Sequence, residues 1–220
     1  MSPFTGKDLA PETWLKRPRR VIAFKIDNNI NARPQSGLQE ADAVHEILVE
    51  GGMTRFLAYF MDKTSTYLGP IRSARPTDPT VLRPLGGVLV ASGATGGLIP
   101  EIVDIGVPVI TDRRPEFFRI SSRKAPHNLY ADTIELKEHA LLRGYKKVDI
   151  PQPLFPWGDP NFNEWSNNTY LILPFSGYTR TTWTWNGNEY KRIVLGDWYS
   201  KSFILNYQKN KILVEKTHFI

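Results

Sequence analysis

Hydrophobic and polar positions alternate along the first two thirds of this chain in blocks of strand and helix length. Val21–Asp27 (VIAFKID) is an apolar run of strand length, as are Thr54–Met61 (TRFLAYFM), Gly87–Ala91 (GVLVA) and Val107–Ile110. Between the first two, Leu38, Ala41, Val44, Ile47 and Leu48 fall on one face of a 3.6-residue period. Asp42, Glu46 and Glu50 fall opposite. This spacing predicts a helix over 38–50, ended by Gly51-Gly52, with a solvated acidic stripe. Glu50 is the member of that stripe placed to turn inward and pair with an arginine. A glycine-rich turn at Gly93–Gly97 leads into a predicted helix over 98–105. Another helix is predicted over Thr133–Arg143, closed by Gly144. Strands alternating with helices predict an α/β fold, α+β overall, with a mainly parallel or mixed sheet and flanking helices.

The pattern changes near residue 150. Pro151, Pro153, Pro156 and Pro160 interrupt regular structure. Five of the six tryptophans follow, at 157, 165, 183, 185 and 198. Thr181–Trp185, Asn186-Gly187 and Glu189–Val194 form a strong two-residue hairpin signal. Phe203–Tyr207 and Lys211–Glu215 suggest a second hairpin. The expected organisation is an α/β domain over 1–150 and a smaller antiparallel β-rich lobe over 151–220. Tryptophans on hairpins supply core packing or, when exposed, stack on sugars or bases.

Composition narrows the possibilities. A chain of 220 residues can bury about 70% of its unfolded surface, enough for a substantial core. Apolar residues at 41% and charged residues at 23% exclude collagen, a disordered tail and a membrane bundle. The absence of cysteine excludes disulfides, thiolate metal sites and cysteine nucleophiles. A net charge of +6 favours acidic partners without naming one. The sequence has no apolar leader region, and no run approaches 18 apolar residues.

Candidate chemistry lies in three loops. The first follows strand one and runs Asp27-Asn28-Asn29-Ile30-Asn31-Ala32-Arg33-Pro34-Gln35-Ser36-Gly37. Ligands of open α/β sheets bind outside the carboxyl ends of strands. Asn and Ser also favour plain turns and helix caps, so the loop suits both roles. The second is Gly69-Pro70-Ile71-Arg72-Ser73-Ala74-Arg75-Pro76-Thr77-Asp78. Two guanidiniums three residues apart can clamp a carboxylate or phosphate. Asp78 can instead cap the next helix or pair with Arg75. The third contains Arg123-Lys124-Ala125-Pro126-His127-Asn128. His127 suits a general acid–base, an anion ligand or a structural hydrogen bond. The glycine turn is neither a P-loop nor G-x-G-x-x-G, though it can present backbone N–H groups to an anion. Ser92 lacks the glycine of G-x-S-x-G, because Val90 stands there. There is no His-Glu-x-x-His, so neither a metal nor a cofactor is expected.

Several ordered motifs carry a family resemblance. Ile26-Asp27-Asn28, Ala32 to Leu38, Ala41-Asp42, Glu46 and Val49 to Ala58 resemble the bacterial YerB-like family, whose members are named as lipoproteins of unknown function. Gly69 to Pro76 and Ala125 to Tyr130 extend the likeness. It is strong over about residues 3–145 and weaker in the β-rich remainder. The resemblance implies an extracytoplasmic, cell-envelope location and a lipid anchor on a longer precursor. Both ends then read as boundaries from which a signal peptide or a C-terminal extension has been removed. It implies no catalytic residues. The expected function is an envelope binding or scaffold protein. Its ligand site would use Asn28, Arg33, Gln35, Ser36, Arg55, Arg72, Ser73, Arg75, Arg123, His127 and Asn128. The ligand would be anionic: a peptidoglycan carboxylate, another envelope polymer's phosphate, or a partner protein's carboxylate. The alternative is a metal-independent hydrolase or transferase at the same place. There Glu50 or Asp27 and His127 would transfer protons, while Arg72 and Arg75 stabilise negative charge. The lack of a basic run or reading motif argues against nucleic acid.

Overall fold

The computed structural model describes residues 2–6, 8, 20–112, 115–145, 152–153, 170–185, 190–194 and 203–204. The central element is β1 (Ile22–Asp27), flanked by β3 (Thr54–Phe60) on one side and β4 (Val88–Ala91) on the other. β2 (Ala43–Leu48) lies outside β3, and β5 (Val109–Thr111) outside β4. β1 is antiparallel to β3 and parallel to β4, so the sheet is mixed. Two short antiparallel sheets accompany it. One pairs β6 (Phe117–Arg119) with β7 (Leu129–Ala131). The other runs in the order β11 (Phe203–Ile204), β10 (Tyr190–Val194), β9 (Arg180–Trp185) and β8 (Tyr170–Pro174). β9 and β10 pair antiparallel as expected, but in the register Tyr190↔Trp185, which leaves four residues between the paired positions where a two-residue turn is expected; those four lie outside the described residues. So do the second expected hairpin beyond 204 and Trp157, Trp165 and Trp198.

Both faces of the five-stranded sheet are covered. Even positions of β1 (Ile22, Phe24, Ile26) pack with Phe56, Ala58 and Phe60, beneath β6, β7 and Leu136 and Ala140 of α3 (Thr133–Leu142). Odd positions pack with Leu57 and Tyr59 beneath α1 (Asp78–Leu82) and α2 (Leu98–Asp104). Being buried on both sides explains why these strands read as nearly unbroken apolar runs.

The segment 38–50 departs from the expected helix. It forms a 3-10 turn at Leu38–Glu40 and then strand β2, paired with β3 from Ala43↔Tyr59 to Leu48↔Thr54. Asp42 and Glu46 therefore do not form a solvated stripe. Asp42 accepts backbone N–H bonds from Met61, Asp62 and Lys63 at 2.7, 2.8 and 3.2 Å, closing the end of β3. Glu46 is held by Arg192 of β10, which also lies 5.0 Å over the Phe56 ring. Gly51-Gly52 does not end a helix but turns a hairpin, both residues at positive φ (68° and 73°). Gly52 lies so close to the β8–β9 connection that an added Cβ would come within 2.9 Å of Ser176 and Tyr178. Its carbonyl accepts hydrogen bonds from the Ser176 and Thr179 hydroxyls. Long-range partners override local period here.

Lys25 and Asp78 form a wholly buried ion pair, Nζ to Oδ1 2.5 Å, under β1. Breaking such a pair leaves an uncompensated charge in the core. Lys25→Met is expected to cost about 3–5 kcal/mol, and adding Asp78→Leu to recover more than half of it. Urea unfolding of the three proteins checks this. An unchanged midpoint in Lys25→Met would show that the pair does not stabilise the fold.

Candidate functional site

The strand pleat places Lys25, Asp27 and Arg55 on the same face, with Asp27 and Arg55 directly cross-strand. The segment 70–74 folds over the ends of β1 and β4. Pro70 O accepts from Asp27 N, Lys25 O from Arg72 N, and Arg72 O from Ser92 N. This threads the arginine loop between two strand ends and sets the direction of Arg72. Gly69 permits the approach, because a Cβ there would meet the Tyr130 ring at 2.8 Å.

The third loop arrives from the other side. Asn128 braces it by donating to Ile120 O and Arg123 O and accepting from Arg119. Arg123 reaches across to the first loop and donates to Ala32 O and Pro34 O. Each of the three loops contains a cis X–Pro bond, at Pro34, Pro70 and Pro126.

The loops meet at Asp27. Its carboxylate is 4% exposed. Oδ1 accepts from Asn29 N at 3.0 Å, while Oδ2 lies 2.8 Å from His127 Nδ1 and 3.3 Å from Arg72 Nε. The His127 and Arg72 side chains are 17% and 27% exposed. The Arg72 guanidinium makes no hydrogen bond to any described residue. Beside them, Gln35 donates to Asp27 O and Asn28 Oδ1, and Arg33 wraps onto Asn28. Asn28 donates in turn to Thr54 and Glu46.

Other residues expected at the site have structural partners. Arg75 pairs with both oxygens of Glu50, and Arg55 lies 3.8 Å from the same carboxylate. Ser73 contributes its carbonyl, which accepts from Arg55 and Arg75. Ser36 makes a backbone bridge to Gly69. Asp78 is the first residue of α1 rather than its cap, and it meets Arg75 only through the backbone N–H, which it accepts at 2.8 Å; its ion pair is with Lys25. Ser92 donates to Asp112 at 2.9 Å and makes no hydrogen bond to His127. Two members of the surrounding network, Lys25 and Arg192, are not among the residues that the sequence motifs single out. A lysine inside an apolar strand run was the available signal for the first.

Electrostatics separate the two clusters. The Arg75 hydrogen bonds hold the Glu50 carboxyl at about 2. Burial, with Arg75 beside it, pulls the Arg55 guanidinium down to about 10, still charged at neutral pH. Burial also lowers Lys25, despite Asp78. Among the described residues no group of three or more His, Asp or Glu side chains can hold a metal ion.

Arg72 and His127, both partly exposed, thus share one buried carboxylate oxygen. With Nδ1 directed at Asp27, the other ring nitrogen of His127 is left to bind or to exchange a proton.

Residues 4–146 match the family described as protein of unknown function (DUF3048) N-terminal domain. The chain belongs to this family. It is 35% identical over 161 residues to the Bacillus subtilis (strain 168) protein named "Putative lipoprotein YerB". That alignment covers 69% of the chain and 49% of the relative, so the chain spans about half the relative's length. The crystal structure of YerB protein from Bacillus subtilis superposes with a TM-score of 0.72 at 28% identity, over 89% of this chain and 67% of that one. The YerB-like resemblance and the mixed α/β fold are thereby shown. The DUF3048 match includes all three loops that meet at Asp27.

Glu50 has a folded pKa below its ordinary 4.5, so its pairing stabilises the fold above about pH 4.5 and is lost as pH falls through about 2. Its side chain is 57% exposed, which limits the effect to about 1 kcal/mol or less. Glu50→Gln should therefore be slightly less stable than the parent at about pH 7 and equal to it near pH 2. Denaturant titrations at both pH values measure this. A gap persisting at the acid end would assign the loss to something other than the ion pair.

Proposed function

We propose that this chain is an extracytoplasmic envelope-binding or scaffold protein that takes an anionic group at Arg72 and His127. The observation that carries this is the Arg72 guanidinium, partly exposed, 3.3 Å from buried Asp27 and without a hydrogen bond to any described residue. One buried carboxylate facing two cationic or donor groups leaves their outer sides to a second acceptor. A carboxylate or phosphate oxygen fits that role, from peptidoglycan, another envelope polymer or a partner protein. The envelope setting is supported by the name of the relative, "Putative lipoprotein YerB". Attachment to the membrane would come through a lipid on a longer form of the protein, and nucleic acid is not the expected partner.

The 2.8 Å contact between Asp27 and His127 favours a second reading, a metal-independent hydrolase or transferase acting on the same anionic ligand. There Asp27 would orient the ring and His127 would move the proton.

Calorimetric titration with inorganic phosphate and with a short peptide bearing either a free or an amidated C-terminus tests the binding site. Arg72→Gln is expected to weaken binding about tenfold or more, as loss of one charged hydrogen-bonding partner does. Arg123→Gln, whose guanidinium serves loop carbonyls, provides a comparison for loop disruption. Equal affinity of Arg72→Gln and the parent for every probe would reject the site. Product formation from envelope fragments, abolished in His127→Ala, would favour the enzymatic reading over binding alone.

A further inference from the structure

A second surface, distinct from the Arg72–His127 site, has the chemistry of a saccharide platform. Tyr67, Phe118 and Tyr130 form a cluster of three rings. Tyr67 lies 4.6 Å from Tyr130 and 5.8 Å from Phe118, and Phe118 lies 6.2 Å from Tyr130. Phe118 and Tyr130 are direct cross-strand partners of β6 and β7. Tyr130 is 1% exposed and backs the cluster, whereas Tyr67 and Phe118 are 44% and 37% exposed. Large rings held at one face and open at the other offer apolar area without further loss of rotamer freedom.

Tyr67 also lines a cavity of about 400 Å³. The other side chains at its wall are Ser36, Glu40, Thr64, Ser65 and Thr66. The wall is built into the fold. Ser65 N donates to Thr133 Oγ1 at 2.7 Å, Leu68 and Ala131 exchange backbone bonds, and Ser36 does the same with Gly69. Among the described residues its lining holds no lysine or arginine and no large aliphatic side chain. That composition suits neither a phosphate nor an acyl chain. Hydroxyls both donate and accept, and Glu40 adds an acceptor. A pyranose ring matches both parts, with an apolar C–H face for the rings and a rim of hydroxyls for the cavity.

We propose that this surface binds a neutral oligosaccharide, with Tyr67 and Phe118 as the stacking platform and Ser36, Glu40, Thr64 and Thr66 as hydrogen-bonding partners. The proposal uses no residue of the anion-binding pair, so each can fail without the other.

The test is a ¹⁵N chemical-shift titration of the full chain with three neutral tetrasaccharides: β-1,4-linked N-acetylglucosamine, cellotetraose and maltotetraose. At least one is expected to shift the amides of residues 64–67 and 118. Tyr67→Ala should weaken that binding about tenfold, the range of a single aromatic contact. Because Tyr67 packs on Tyr130, the exposed pair Thr64→Ala/Thr66→Ala approaches from the hydroxyl side and should weaken it at least about threefold. Arg72→Gln should leave it unchanged. No shift at about 10 mM of any of the three sugars, or binding that survives both sets of substitutions, overturns the proposal.

Discussion

The Lys25–Asp78 pair is the constraint on which the architecture of this end of the molecule depends. A lysine in the middle strand of a doubly covered sheet cannot remain charged without a counter-ion of equal burial. Asp78 supplies it from the first residue of α1. Once α1 is seated there, the preceding loop has little freedom. The same carboxylate takes the Arg75 N–H, Arg75 takes Glu50, and the backbone of Arg72 is bound to β1 and β4. One buried charge thereby orders a whole loop of cations.

The arginines consequently divide by role. Arg75 and Arg55 are committed to Glu50 and to carbonyls. Arg33 and Arg123 brace the first loop. Arg72 is directed to Asp27 Oδ2, the same oxygen that His127 approaches. A cluster that looks uniformly basic in sequence is, in three dimensions, largely a set of internal braces around one buried carboxylate. Net charge is a poor guide to such a site, because most of the cations are already answered by carboxylates or carbonyls.

What could be read from the sequence follows the range of the forces involved. Strands such as Thr54–Phe60 and the helix at Thr133–Leu142 were legible because burial and capping are local in sequence. The convergence of three separated loops was also suggested, since each follows or precedes a strand end. The segment 38–50 misled because its apolar spacing fits a helix, while the decision lay elsewhere. The buried strand β3 needs a partner, Asp42 caps that strand's far end, and Arg192 claims Glu46. The contrast between Arg72 and Arg75 was likewise hidden, because it depends on which carboxylate each meets. The platform of Tyr67, Phe118 and Tyr130 required knowledge that β6 pairs with β7.

The Glu46–Arg192 pair joins residues 146 positions apart, across the shift in composition near residue 150. During synthesis the sheet can assemble long before that arginine leaves the ribosome. Until it does, a nearly buried carboxylate sits beside Asn28 and Thr54 without its cation. Those residues adjoin Asp27. Completion of the later β-sheet therefore brings Arg192 to the polar layer under the strand ends. A residue made late in translation thereby supplies the partner of one made early.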